Sequence, residues 1–197
     1  PRMALSVRQA AKNKAKEMAA ERRTQEWLAE PVQRIAQDAK SPIYILAATQ
    51  TRLSDVATAE VVASPNDIAR LGFAVAAALV GDTLNGLDDD ATAFAQTIAD
   101  TLKAAKKPLI ISGTSLQDPA IMEAAAQVAQ NLGTHAGLTL TVPEVNSMGA
   151  AIFGGQSLEQ AFAQDYDVVI VVENDLYRRL HLVDQESLTL SANHVFL

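Results

Sequence analysis

Beyond Lys40 the chain alternates short apolar runs with amphipathic stretches. PIYILAA (42–48), KPLIISG (107–113), GLTLTV (137–142) and DVVIVVEN (167–174) lack the alternation of a half-exposed strand, and helical patterns follow three of them. Continuous apolar strands alternating with helices predict a Rossmann-like α/β fold, a mostly parallel sheet with helices on both faces. Ser64-Pro65-Asn66-Asp67 places a hydroxyl cap, a first-turn proline and an acid ahead of IARLGFAVAAAL. Asp118-Pro119 opens AIMEAAAQVAQNL and Gly133 closes it, while Ser157-Leu158-Glu159-Gln160 has capping-box spacing. Between them, Ala91 to Ala105 forms an amphipathic segment with Phe94, Ile98, Ala99 and Leu102 inward. A helix is expected from about Leu176 to Leu190, after which ANHVFL restarts a strand, so the α/β domain at 41–197 reads as truncated at its C-terminal end. TRLSDVATAEVVAS (50–63) fits a loop, a short helix or an extra strand.

Residues 4–40 follow a different rule. They contain no glycine and one proline among good helix formers. Leu5, Val7, Ala11, Ala15, Met18, Ala19 and Ala20 form a thin apolar stripe, too poor in large residues to anchor a helix alone. Pro31 suits the first turn of a second helix, with Val32, Ile35, Ala36 and Ala39 on its apolar side and Trp27 and Leu28 packing at the junction. Residues 1–40 are thus predicted to be an N-terminal helical extension that packs on something else.

Charge separates the same two parts. Residues 1–40 carry nine Lys or Arg against five Asp or Glu, and residues 41–197 carry seven against eighteen. A basic helix invites a nucleic-acid or membrane reading, but Glu17, Glu21, Glu26 and Glu30 interrupt it and the acidic body repels phosphate. No nucleic-acid partner is expected. No apolar run reaches the roughly 18 residues of a membrane span, which predicts a soluble, intracellular chain without direct membrane insertion.

Candidate chemistry narrows further. The chain has no cysteine, which removes thiolate nucleophiles and thiolate-held zinc or iron–sulfur clusters. His135, His181 and His194 are far apart, and no metal-binding spacing joins them to carboxylates. Asp88, Asp89 and Asp90 in GDTLNGLDDD (81–90) read as a solvated turn and helix N-terminus, because the glycine and glutamate spacing of an EF-hand loop is missing. Ser112, Ser115 and Ser157 sit in no nucleophile elbow.

Ligands of an open α/β sheet gather at the C-terminal ends of its strands. Four polar loops occupy such places: ATQTRLSD, SGTSLQD, PEVNSMGAAIFGGQS and ENDLYRR. Gly154 and Gly155 in GGQSLEQ precede a capped helix, either as a phosphate-accepting turn or as a tight packing turn. The lysine of a P-loop and the spacing GxGxxG are both missing. Glu173, Asn174 and Asp175 directly follow a strand, where they could hold ribose hydroxyls or cap the next helix.

KPLIISGTSLQDPAIMEAAAQVA, VNSMGAAIFGGQSLEQA and DVVIVVENDLYRR resemble the large iron–sulfur subunit (the G subunit) of bacterial NADH:quinone oxidoreductase, respiratory complex I. The likeness runs through most of residues 4–180 and includes SVRQAAKNKAKEMAAERRTQEWLAEP and ARLGFAVAAAL. That polypeptide is similar to molybdopterin oxidoreductases, whose N-x-x-G-a loop and GENP turn face the nucleotide parts of a molybdenum cofactor. Asn146, Ser147 and Gly149 look like part of the first motif, and Glu173 and Asn174 like part of the second. Val172 and Asp175 depart from the glycine and proline of GENP, and no cysteine is present to ligate molybdenum.

The resemblance therefore implies a non-catalytic fragment without catalytic residues, metal or cofactor, in which Asn146, Ser147, Gly149, Gly154, Gly155, Glu173 and Asn174 are vestiges of a nucleotide cradle. Iron–sulfur clusters would lie elsewhere in the parent subunit. The implied partners are other hydrophilic-arm subunits, in a complex attached to the cytoplasmic face of the inner membrane. AAKKPLIISGTSL also resembles the FAD- or ADP-binding domain of thiamine-diphosphate enzymes, although only Gly113 stands where that family carries a glycine pair.

Overall fold

The computed structural model describes residues 2–164, 166–172, 175 and 193–196. The chain divides into two compact units, Pro1–Pro143 and Glu144–Leu197.

The first unit opens with three helices, α1 (Arg2–Ala10), α2 (Asn13–Glu21) and α3 (Ala29–Ala36). The expected helical extension is present, but it breaks between α1 and α2. Ser41 explains how the break is tolerated: its amide donates to the Ala11 carbonyl at 2.9 Å and its hydroxyl accepts from the Lys14 amide at 3.0 Å. Two backbone groups that a continuous helix would pair internally are thereby satisfied. Pro31 falls in the first turn of α3 as predicted. Trp27 does not pack at the junction and is 75% exposed. Helices α2 and α3 close on each other with the small Ala19 and Ala36 buried, and the indole stays outside that contact.

The α/β part of this unit begins with β1 (Tyr44–Ala47), which pairs in parallel with β2 (Ala59–Val62). The ambiguous stretch 50–63 is therefore a loop that leads into a strand. Two helices follow, α4 (Pro65–Leu79) and α5 (Asp89–Ala104), and then a β-α-β unit of β3 (Leu109–Gly113), α6 (Pro119–Leu132) and β4 (Gly137–Thr141). Strands β3 and β4 are parallel, with Leu109 beside Gly137 and Gly113 beside Thr141. The helix starts form as their sequences predict. Ser64 Oγ accepts from the Asp67 amide at 3.2 Å, Asp88 from the Ala91 amide at 2.7 Å and Asp118 from the Ala120 amide at 2.9 Å. Gly133 ends α6 with φ of +85°, a conformation that excludes most side chains.

The core is a helix sandwich centred on α4, which packs against both α5 and α6. Leu71, Ala74, Val75, Ala76, Ala78 and Leu79 of α4 are buried with Ala95, Ile98 and Ala99 of α5 and Val128 and Leu132 of α6. Phe94 and Leu102, expected inward, pack against this cluster while remaining half-buried. Polar side chains finish the end of α4: Asn131 Nδ2 donates to the Ala76 carbonyl at 2.8 Å and Lys103 Nζ to the Ala78 carbonyl at 3.2 Å. Strand β1 joins the layer through Tyr44, whose ring meets Phe94 edge-on at 6.0 Å and whose hydroxyl lies 3.1 Å from Thr101 Oγ1.

The second unit contains α7 (Ser147–Phe153), α8 (Leu158–Phe162) and β5 (Val168–Val171), which pairs in parallel with β6 (Asn193–Phe196). The strand expected at ANHVFL is thus present, and the helix expected from Leu176 to Leu190 lies outside the described residues.

The sheet departs from expectation. Among the described residues the strands form three separate two-stranded parallel sheets instead of one continuous Rossmann-like sheet covered on both faces. Exposure is out of register across β3 and β4: Leu109 and Ile111 are exposed on one strand, Leu138 and Leu140 on the other. Both faces of that pair consequently carry bare aliphatic side chains. Helix α6 packs on this pair, and parallel strands are ordinarily covered on both faces.

Close approach of α6 to α4 leads to a prediction. A Cβ placed on Gly72 would lie 2.9 Å from Ala124 Cβ. Gly72→Val is expected to destabilise the chain by about 1–3 kcal/mol in urea unfolding, as overpacking does elsewhere. Adding Ala124→Gly should recover part of the loss.

Candidate functional site

The glycine-rich loop of the second unit is built by local chemistry. Asn146 adopts a left-handed conformation, φ 64° and ψ 16°, which asparagine tolerates better than most residues. Its carbonyl accepts from the Ala150 amide at 2.9 Å and so begins α7. Its side chain makes no capping bond and instead folds over Gly149, with Oδ1 in the space a Cβ would need. A larger residue at 149 would require the Asn146 side chain to move aside. Ser147 Oγ donates to the Glu144 carbonyl at 3.3 Å and tightens the same turn.

At the far end of α7, Gly154 has φ of +74° and its amide donates to the Ala151 carbonyl at 3.2 Å. Gly155 has open space around the position of a Cβ. The capping box read from the sequence is present: the Gln160 amide donates to Ser157 Oγ, and the Ser157 amide donates to Gln160 Oε1, both at 3.2 Å. These two amides, which an anion would otherwise approach, are engaged within the turn.

Asn146, Ser147 and Gly149 are thus brought together in one turn, and Gly154 and Gly155 follow at the other end of the same short helix. Glu173 and Asn174 lie outside the described residues. Large apolar side chains of this loop stand in solvent: Val145 is 100% exposed, Phe153 90% and Ile152 81%.

Two connections of the first unit are also held by internal hydrogen bonds. After β3, the Thr114 amide donates to the Thr141 carbonyl at 3.1 Å, and Gly113 lies so near that carbonyl that a Cβ would collide with it. After β1, Glu60 organises the connection to β2. Its carboxylate accepts from the Thr51 amide at 2.8 Å and from Ser54 Oγ at 2.5 Å. Hydrogen bonds from Ser54 and Thr51 hold the Glu60 carboxyl below the ordinary range. This residue escaped the sequence reading because a single glutamate in a strand carries no spacing signal. Among the described residues, no three His, Cys, Asp or Glu side chains converge as metal ligands, and no helix is long and apolar enough to cross a membrane.

Comparison with known proteins shows which sequences the chain resembles. The chain is 47% identical to the G subunit of NADH-quinone oxidoreductase from Pseudomonas putida over 188 residues, 91% of the chain and 21% of that protein. It is 42% identical to the corresponding protein of Salmonella typhimurium over 186 residues, and the Escherichia coli protein gives the same identity over the same length. The chain is homologous to one segment of the NADH-quinone oxidoreductase G subunit. It spans about a fifth of the length of the curated relatives it matches. No family model matches. The resemblance read from KPLIISGTSLQDP and VNSMGAAIFGGQS is therefore supported over nine-tenths of the chain.

An iron–sulfur cluster does not fit these residues, because the chain offers no cysteine thiolate.

The Glu60 geometry fixes the sign of a pH effect. A carboxyl lowered by folding stabilises the folded loop above its ordinary value of 4.5, and that contribution is lost as pH falls through the lowered value. The Thr51 amide resonance is expected to titrate with a midpoint below 4.5. In Glu60→Ala that titration should disappear.

Proposed function

We propose that the chain is a non-catalytic structural domain of the large iron–sulfur (G) subunit of an NADH:quinone oxidoreductase, a scaffold for the redox-active parts of the same polypeptide and for neighbouring hydrophilic-arm subunits. The assembly would carry electrons from NADH to quinone at the cytoplasmic face of the inner membrane, with its iron–sulfur clusters held on other parts of the polypeptide. The observation that carries this reading is the 47% identity to a segment of the G subunit in a chain that contains no cysteine.

The loop supports the same reading. In the proposed role Asn146, Ser147, Gly149, Gly154 and Gly155 keep a turn whose ancestral task was to hold a pterin nucleotide, and Glu173 and Asn174 are remnants of its second motif. What the turn does now is local: it starts α7, fits Asn146 against Gly149 and caps α8. The parallel pairs β1–β2 and β3–β4 would be parts of a Rossmann-like layer completed in the longer polypeptide, which would cover the bare aliphatic side chains of β3 and β4. We assign residues 1–40 as the helical extension of that α/β domain, which runs from residue 41.

Native mass spectrometry of the chain purified without added ligand tests the proposal. The expected spectrum shows the bare polypeptide mass. A stoichiometric increment matching a pterin nucleotide would contradict the vestigial reading, and one matching FAD or ADP would favour the thiamine-diphosphate alternative.

A further inference from the structure

The N-terminal helices are attached to the rest of the first unit in an unusual way. Of the described residues up to Lys40, Ala11, Ala19 and Ala36 are the buried hydrophobic side chains, and α1 buries none. Helix α2 packs extensively on α3, whereas α1 and α2 have no such packing on β1, α4, α5 or α6. Fully buried alanine methyls offer little apolar area, and Val7, Met18, Val32 and Ile35 are only partly buried.

Ion pairs reach across instead. The Arg8 guanidinium grips the Asp55 carboxylate with both arms, at 2.6 and 2.9 Å, and also donates to the Arg52 carbonyl. This clamp ties α1 to the β1–β2 connection. Glu17 on α2 pairs with Lys106, in the turn before β3, and with Lys14 at 3.3 Å on its own helix. The Arg8 hydrogen bond holds the Asp55 carboxyl below its ordinary range, and the Lys106 hydrogen bond does the same for Glu17.

Both clamps stand in solvent. Side-chain exposure is 39% and 62% for Arg8 and Asp55, and 35% and 85% for Glu17 and Lys106. The attraction in each clamp, basic on the N-terminal side at Arg8 and acidic there at Glu17, therefore acts through water, where salt screens it.

We propose that α1 and α2 form a strap held on the body by the Arg8–Asp55 and Glu17–Lys106 clamps, and that the strap is released as ionic strength rises. Ser41, which bonds the Ala11 carbonyl and the Lys14 amide, links the strap to the start of β1. Helix α3 would travel with α2, on which it packs.

Hydrogen–deuterium exchange on the full chain tests this, at about 0.01 M and about 1 M NaCl, where the Debye length falls from about 30 Å to about 3 Å. Amides of α1 and α2 are expected to exchange about fivefold faster or more at the higher salt, the scale of losing two exposed pairs. Amides of α4 and α5 should not respond, which separates release from unfolding. Asp55→Asn combined with Glu17→Gln should exchange fast in the strap at both salt levels. Arg8→Asp combined with Asp55→Arg should keep the low-salt protection. Strap protection in the unmodified chain that is indifferent to salt would overturn the proposal, as would full protection in the doubly neutralised variant.

Discussion

In the first unit, the approach of α6 to α4 is set at Gly72, where the absence of a side chain brings the Ala124 methyl against the helix backbone. Alanines on α4 and α5 extend the same economy of size, with Ala74, Ala76, Ala78, Ala95 and Ala99 all buried. Helices this close leave no room for extra methylenes, and their interior resists substitution as close-packed cores do. The β-α-β unit inherits its position from this contact, because α6 carries β3 and β4 on either side of itself in sequence. The polar closure of α4 by Asn131 comes from the same helix, α6, while Lys103 of α5 closes it from the other side.

The sheets around this core are less completely covered. Parallel strands normally sit between two layers of helix, yet β3 and β4 leave Leu109, Ile111, Leu138 and Leu140 exposed. Exposed aliphatic surface of that kind is the sort against which other polypeptide packs. The match to one-fifth of a longer relative gives that surface a natural context. Several loops are held by internal bonds, Thr114 to Thr141, Ser157 with Gln160, and Ser54 with Thr51 to Glu60.

Much of this was legible in the sequence because it is encoded locally. The caps at Ser64, Asp88, Asp118 and Ser157 announce helices through side chains that bond to amides two or three residues away. The four apolar runs became strands at their expected places, and Gly133 stopped α6. What the sequence could not carry was pairing at a distance. Nothing near Trp27 says that α2 and α3 close on alanines and leave the indole outside. Sheet width likewise depends on which strands meet, so a continuous sheet was expected where pairs were found. Of the candidate site, the asparagine and glycine of the loop were identified from their motif, but their mutual fit appears only in three dimensions. Glu60, Arg8 and Asp55 act across 6 to 47 positions of sequence and had no motif to reveal them.

In the proposed role this segment supports the oxidoreductase without taking part in its chemistry. The most direct test introduces Asn146→Ala together with Gly149→Val into the segment within the assembled NADH:quinone oxidoreductase, then measures both the amount of assembled complex and its NADH:quinone rate per complex. A structural role predicts less assembled complex with an unchanged rate per complex. A normal yield of complex whose rate per complex has collapsed would contradict it and place this loop in the reaction.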